Sequence, residues 1–101
     1  GTWSWNVGCT FDDGSQEWVQ RGRRHRDGDR PAVIMADGTQ EWYQNGCLHR
    51  DGDRPAHVES DGSQHWYHNG HRHRDDNRPA IVQANGEQMW YSHGVYLRQE
   101  K

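Results

Sequence analysis

The chain has 101 residues, of which 30% are hydrophobic and 27% charged, and its formal net charge is −3. This length bounds it to one domain, and the composition excludes a thick closed core, a transmembrane helix of roughly 20 apolar residues and a basic block for phosphate neutralisation. A mean hydropathy of −1.40 would by itself point to disorder, but six Trp and four Tyr place large apolar area on few positions, so a thin sheet or shallow wrap is expected.

In chain order, residues 5–14 form a partial unit, in which Val7 to Gly14 run in the phase of Pro31 to Gly38. Repeats follow at about 13–36, 37–60 and 61–84, and a second partial unit over 85–101 closes the chain. The 24-residue period is carried by Trp18, Trp42, Trp66 and Trp90 and by Gly22, Gly46, Gly70 and Gly94. It is carried again by three charged blocks, His25–Ala32, His49–Ala56 and His73–Ala80. A fixed period of this length marks a tandem array in which each unit buries apolar surface on its neighbours. Residues 1–101 therefore read as one tandem-repeat domain.

Each unit holds two turn signals. The first series is Asp13-Gly14, Asp37-Gly38, Asp61-Gly62 and Asn85-Gly86, and the second is Arg21-Gly22, Asn45-Gly46, Asn69-Gly70 and His93-Gly94. Such dipeptides fit two-residue type I′ turns, in which both central residues take positive φ. Between them lies a short strand such as Thr39 to Gln44. After the second turn a long strand returns, kinked at Asp51-Gly52-Asp53-Arg54-Pro55, where the prolines cannot donate to a ladder. Period two and frequent Gly exclude helix. The expected fold is all-β, an elongated antiparallel meander of tandem β-hairpins.

Trp42-Tyr43-Gln44-Asn45-Gly46 and Trp66-Tyr67-His68-Asn69-Gly70 resemble the MORN-repeat family in its Trp-Tyr-x-Asn-Gly variants. The His-Arg-Asp-Gly-Asp-Arg-Pro-Ala blocks look like those in repeat proteins of large DNA viruses and phages. The resemblance covers almost the whole chain and implies a non-enzymatic scaffold, of a family in which phospholipid contact and dimers occur. The charged kink stands where MORN units use glycine pairs.

Counting outward from Asn45-Gly46 sets Tyr43 opposite Leu48, Trp42 opposite His49 and Glu41 opposite Arg50. The same count joins Trp18 to His25, Trp66 to His73 and Trp90 to Leu97, with imidazole packed on indole. Counting from Asp37-Gly38 sets Val33 opposite Trp42, Ile34 opposite Glu41 and Ala32 opposite Tyr43. One face then carries Ala32, Ala56 and Ala80 with Ile34, Val58, Val82 and Val19, Tyr43, Tyr67, Tyr91. Its uniformity suggests the buried or self-packing side. The more varied Trp face, with Trp18, Trp42, Trp66, Trp90, His25, His49 and His73, is expected to meet solvent, a partner or a small ligand such as a stacked carbohydrate.

His68 faces His71 across the Asn69-Gly70 turn, and His71 and His73 share a strand face, so His68, His71 and His73 form a candidate zinc site. Asp51-Gly52-Asp53 lacks the spacing of a calcium loop, and these acids are expected to pair with Arg50, Arg54 or an Arg of an adjacent unit. Cys9 and Cys47 sit at different phases and read as reduced, mildly buried thiols, which favours an intracellular setting. No signal peptide is visible. No nucleophile–base–acid set is apparent, so no enzyme and no required cofactor is expected. The functional expectation is a non-catalytic scaffold or protein-binding module, with a protein partner or self-association into a dimer. Carbohydrate binding on the Trp row and a zinc-binding repeat are the alternatives. No nucleic-acid partner and no membrane span are expected.

Overall fold

The computed structural model describes residues 7–100, so Trp5 and Asn6, which open the first partial unit, lie outside the described residues. No helix occurs among the described residues, and 14 short strands carry the fold. The first unit contributes β1 (Val7–Thr10), β2 (Gln16–Gln20), β3 (Arg23–Arg24) and β4 (Val33–Ile34). The next gives β5 (Gln40–Glu41), β6 (Tyr43–Gln44), β7 (Cys47–Leu48) and β8 (His57–Val58). Then come β9 (Gln64–His65), β10 (Tyr67–His68), β11 (His71–Arg72) and β12 (Ile81–Val82), and finally β13 (Gln88–Ser92) and β14 (Val95–Glu100).

One antiparallel sheet runs β1-β2-β4-β5-β8-β9-β12-β13-β14, with β3 on the far end of β2. β6-β7 and β10-β11 form separate two-stranded hairpins beside it. The molecule measures 49 × 28 × 18 Å, which is the elongated meander expected.

The expected strand from Thr39 to Gln44 is broken at Trp42, and its equivalent is broken at Trp66. The two halves have different partners. Gln40 and Glu41 pair in the main sheet with β4 and β8, whereas Tyr43 and Gln44 pair only with β7. The return stroke is likewise split, by the charged kink, into β7 and β8.

The two turn series are of different kinds. In the second, both residues take positive φ, as at Asn45 (52°) and Gly46 (87°) or Asn69 (50°) and Gly70 (86°). This is the type I′ hairpin, and Tyr43↔Leu48 and Gln44↔Cys47 pair as counted. In the first series only the glycine does so, as at Gly38 (95°) and Gly62 (96°). There Gly38 N–H donates to Met35 O at 2.9 Å and Met35 N–H to Thr39 O at 2.8 Å. The loop therefore has three residues, a type I turn closed by a left-handed glycine.

That extra residue corrects the register. Val33 faces Glu41 and Ile34 faces Gln40, not Trp42 and Glu41. A slip of one residue exchanges the faces of a sheet, so the expected division into a buried Ala face and an open Trp face does not stand. Ala32, Ala56 and Ala80 are fully buried, but so, nearly, are Val33, Ile81 and Trp42, Trp66 and Trp90, the indoles at 7% exposure. Ile34, Val58, Val82, Tyr43, Tyr67 and Tyr91 are half-buried. Glu41 faces His57 and not Arg50.

Candidate functional site

The residues that recur at the period hold one repeat to the next. Trp42 Nε1 donates to Asp29 O at 3.2 Å, Trp66 Nε1 to Asp53 O at 3.1 Å and Trp90 Nε1 to Asn77 O at 3.0 Å. Each acceptor lies in the charged kink of the preceding unit, where Asp29, Asp53 and Asn77 take left-handed φ of 54°, 56° and 56°. The kink is thus a third tight turn in every unit, presenting a carbonyl to the next indole. The prolines predict a bulge or bend here, and the structure defines it as a turn with left-handed residues at Gly28-Asp29, Gly52-Asp53 and Asp76-Asn77.

The indole faces meet guanidinium groups. Arg26 lies 3.6 Å from the centre of the Trp18 ring, Arg50 and Arg74 lie 3.8 Å from Trp42 and Trp66, and Arg98 lies 4.4 Å from Trp90. A planar cation over an indole is a favourable arrangement. Arg50 also holds Asp29 through Nε (2.9 Å) and Nη2 (3.4 Å), and Arg54 adds a further bond to the same carboxylate. Asp53 is held in the same way by Arg74 and Arg78. Hydrogen bonding from Arg50 and from Arg74, resisted by burial, lowers the pKa of Asp29 and Asp53 respectively. The expected ladder between units therefore runs through Asp53. Asp51 instead meets His49.

His25, His49 and His73 sit beside their Trp in backbone register, His49 N–H donating to Trp42 O at 3.0 Å. Their rings do something else. Nδ1 of His25, His49 and His73 accepts the backbone N–H of Asn45, Asn69 and His93 at 3.2, 3.1 and 3.0 Å. Nε2 reaches Asp27, Asp51 and Asp75 at 2.8, 2.8 and 2.7 Å. An accepting Nδ1 leaves the proton on Nε2, so the network sets one tautomer in all three. The adjacent turn glycines add main-chain bonds, Gly46 N–H to Arg24 O at 2.9 Å and Gly70 N–H to Leu48 O at 2.8 Å.

The structure does not gather His68, His71 and His73 into a ligand set. His68 and His71 are register partners, but the His68 and His73 ring centres are 6.2 Å apart and the His73 ring stacks on His93 at 4.2 Å. Both ring nitrogens of His73 are engaged as described. Among the described residues, three potential ligand atoms converge at His57, Glu59 and His65 instead, all within 4.8 Å of one another. His57 and His65 are direct partners across β8 and β9, and their rings meet edge-on at 5.1 Å. Glu59 Oε1 lies 3.8 Å from His57 Nε2, and Glu59 Oε2 lies 3.7 Å from His65 Nε2. Glu41 Oε2 takes the other nitrogen of His57, Nδ1, at 2.9 Å. His65 Nε2 is buried without a hydrogen-bond partner. The bond to Glu41, against the effect of burial, raises the His57 pKa, and the same bond lowers that of Glu41. Burial, reinforced by the charges of His57 and Arg72, lowers the His65 pKa. The sequence signal for this trio was the variation itself: His57 and Glu59 stand where neighbouring units carry Val33 and Met35 or Ile81 and Gln83.

Two further surfaces are open. Every residue of β14 is exposed, including Val95, Tyr96 and Leu97 at 62%, 52% and 58%. Cys9 and Cys47 are free and exposed, which corrects their expected burial: Cys9 stands on the outer strand β1 and Cys47 beside a turn. No helix is long and apolar enough to cross a membrane among the described residues. No family model, no curated protein and no solved structure matches this chain.

Proposed function

We propose that the chain is a non-catalytic repeat scaffold that assembles through the open edge of its sheet, with a second copy of itself as partner. The exposed strand β14 carries this reading. It presents Val95, Tyr96 and Leu97 together on an edge whose outer main-chain groups have no paired strand among the described residues. Such an edge is a template for strand addition. Pairing of two β14 strands by a two-fold rotation closes on itself and gives a dimer.

What supports a non-catalytic role is the use of the recurring side chains. Trp, Arg, Asp and His at the period are engaged with the neighbouring unit or with one another, and their charges are spent in pairs, which also disfavours a nucleic-acid partner. The MORN-like resemblance agrees with a scaffold. The carbohydrate alternative loses support because the indoles are buried under guanidinium groups. Light scattering of the purified chain tests the proposal. A dimer that becomes monomeric in Leu97→Lys supports it, and a monomer at all concentrations overturns it.

A further inference from the structure

We propose that His57, Glu59 and His65 form a zinc-binding site where the second repeat meets the third, with Glu41 as the residue that orients His57.

The argument begins with what the fold requires at these positions. In the cross-strand row of the main sheet, Glu17 pairs with Val33, Val33 with Glu41, Glu41 with His57, His57 with His65, His65 with Ile81 and Ile81 with Met89. The flanking units place buried Val33 and Ile81 where the central unit places His57. The positions equivalent to His65 are Glu17 and Glu41 in the preceding units and Met89 in the following one. Packing therefore favours an apolar side chain at His57, while the phase of His65 also takes a carboxylate, and burying either imidazole costs desolvation. The hydrogen bonding does not recover that cost at His65, whose Nε2 is buried and unpartnered. A buried ring nitrogen without a hydrogen-bond partner, 3.7 Å from a carboxylate oxygen, is a pair of donor atoms that a cation between them would satisfy.

The donor set fits zinc. Two imidazole nitrogens and one carboxylate are a common three-ligand set for zinc, which takes water as its fourth ligand. Zinc–ligand bonds of about 2.0–2.1 Å put tetrahedral ligand atoms about 3.3 Å apart. The three ligand atoms lie within 4.8 Å of one another, with Glu59 Oε1 at 3.8 Å from His57 and Oε2 at 3.7 Å from His65. Binding therefore draws them inward, and Glu59, with 42% of its side chain exposed, has the freedom to move. Glu41 accepts a hydrogen bond from His57 Nδ1–H and so leaves Nε2 facing Glu59. A carboxylate behind a ligating histidine is the usual outer-shell arrangement of such sites.

The test is calorimetric titration of the full chain, first stripped with EDTA, with zinc chloride, supported by the absorption spectrum of the cobalt(II)-substituted protein. One zinc per chain is expected, with a tetrahedral cobalt spectrum. Glu59→Gln and His65→Met install residues that the following unit carries as Gln83 and Met89, so the sheet is kept. Each is expected to weaken binding at least about 100-fold, and Glu41→Gln by roughly 10–100-fold. His68→Ala/His71→Ala is expected to bind as the wild type does. Absence of stoichiometric binding overturns the proposal. So does full binding by His65→Met with a native circular-dichroism spectrum, or loss of binding in the folded His68→Ala/His71→Ala variant, which would mark capture by surface histidines.

Discussion

Arg50 and Asp29 stand one repeat apart and meet through two hydrogen bonds, Nε to Oδ1 at 2.9 Å and Nη2 to Oδ2 at 3.4 Å. The same guanidinium lies 3.8 Å from the centre of the Trp42 ring and donates to Pro55 O at 3.1 Å. One side chain thus joins the kink of the preceding unit, the indole of its own and the start of the next strand. Arg74 repeats the pattern with Asp53, Trp66 and Pro79.

Because the carboxylate joins two units, Asp53→Asn is expected to lower stability by about 1 kcal/mol, at the upper end for a partly exposed ion pair. Thermal melting at low and high salt checks this. The wild type should lose more of its stability to salt than the variant does.

Acid should act through the same groups. The folded pKa values of Asp29 and Asp53 lie below the ordinary 3.8, so the unfolded state takes up protons first as pH falls. Their contribution is present above about pH 4 and disappears as pH drops through the lowered folded values. In urea titrations across this range, the stability gap between the wild type and Asp29→Asn/Asp53→Asn is expected to close on acidification.

The buried indoles set the largest single-residue effects. Trp66→Ala removes a side chain at 7% exposure together with its bond to Asp53 O. A loss of roughly 3–5 kcal/mol is expected, enough to unfold much of a small domain, and urea denaturation followed by circular dichroism measures it. Emission from the repeat tryptophans should not change on titration with simple sugars, since guanidinium groups cover the faces of Trp18, Trp42, Trp66 and Trp90.

At Gly62, with φ of 96° and open space where a Cβ would stand, only backbone conformation is at stake. Gly62→Ala is expected to cost about 1–2 kcal/mol, read as a lowered melting temperature. Asp61→Ala should cost less, because it removes one bond, from Ser63 N–H to the Asp61 carboxylate, and leaves φ undisturbed.

The candidate zinc site was open to sequence reasoning only in part. His68, His71 and His73 look like a cluster because they crowd within a few positions, yet strand geometry sends His73 to the next unit's backbone at His93. His57 and His65 are farther apart in sequence and meet because the Asp61-Gly62 loop brings β8 against β9. Counting that loop as two residues would set them out of register. The three-residue loop makes them direct partners.

The amino-acid sequence by itself determined the period, the all-β class, the absence of helix among the described residues and the type I′ turns at Asn45-Gly46 and Asn69-Gly70, because these depend on local preferences that each residue carries with it. Tertiary structure decided the register across the Asp-Gly loops, the burial of the indoles and the partners of His57 and Arg50. Those follow from hydrogen bonds and packing between units, whose geometry changes by a whole face when a single residue is added to a turn.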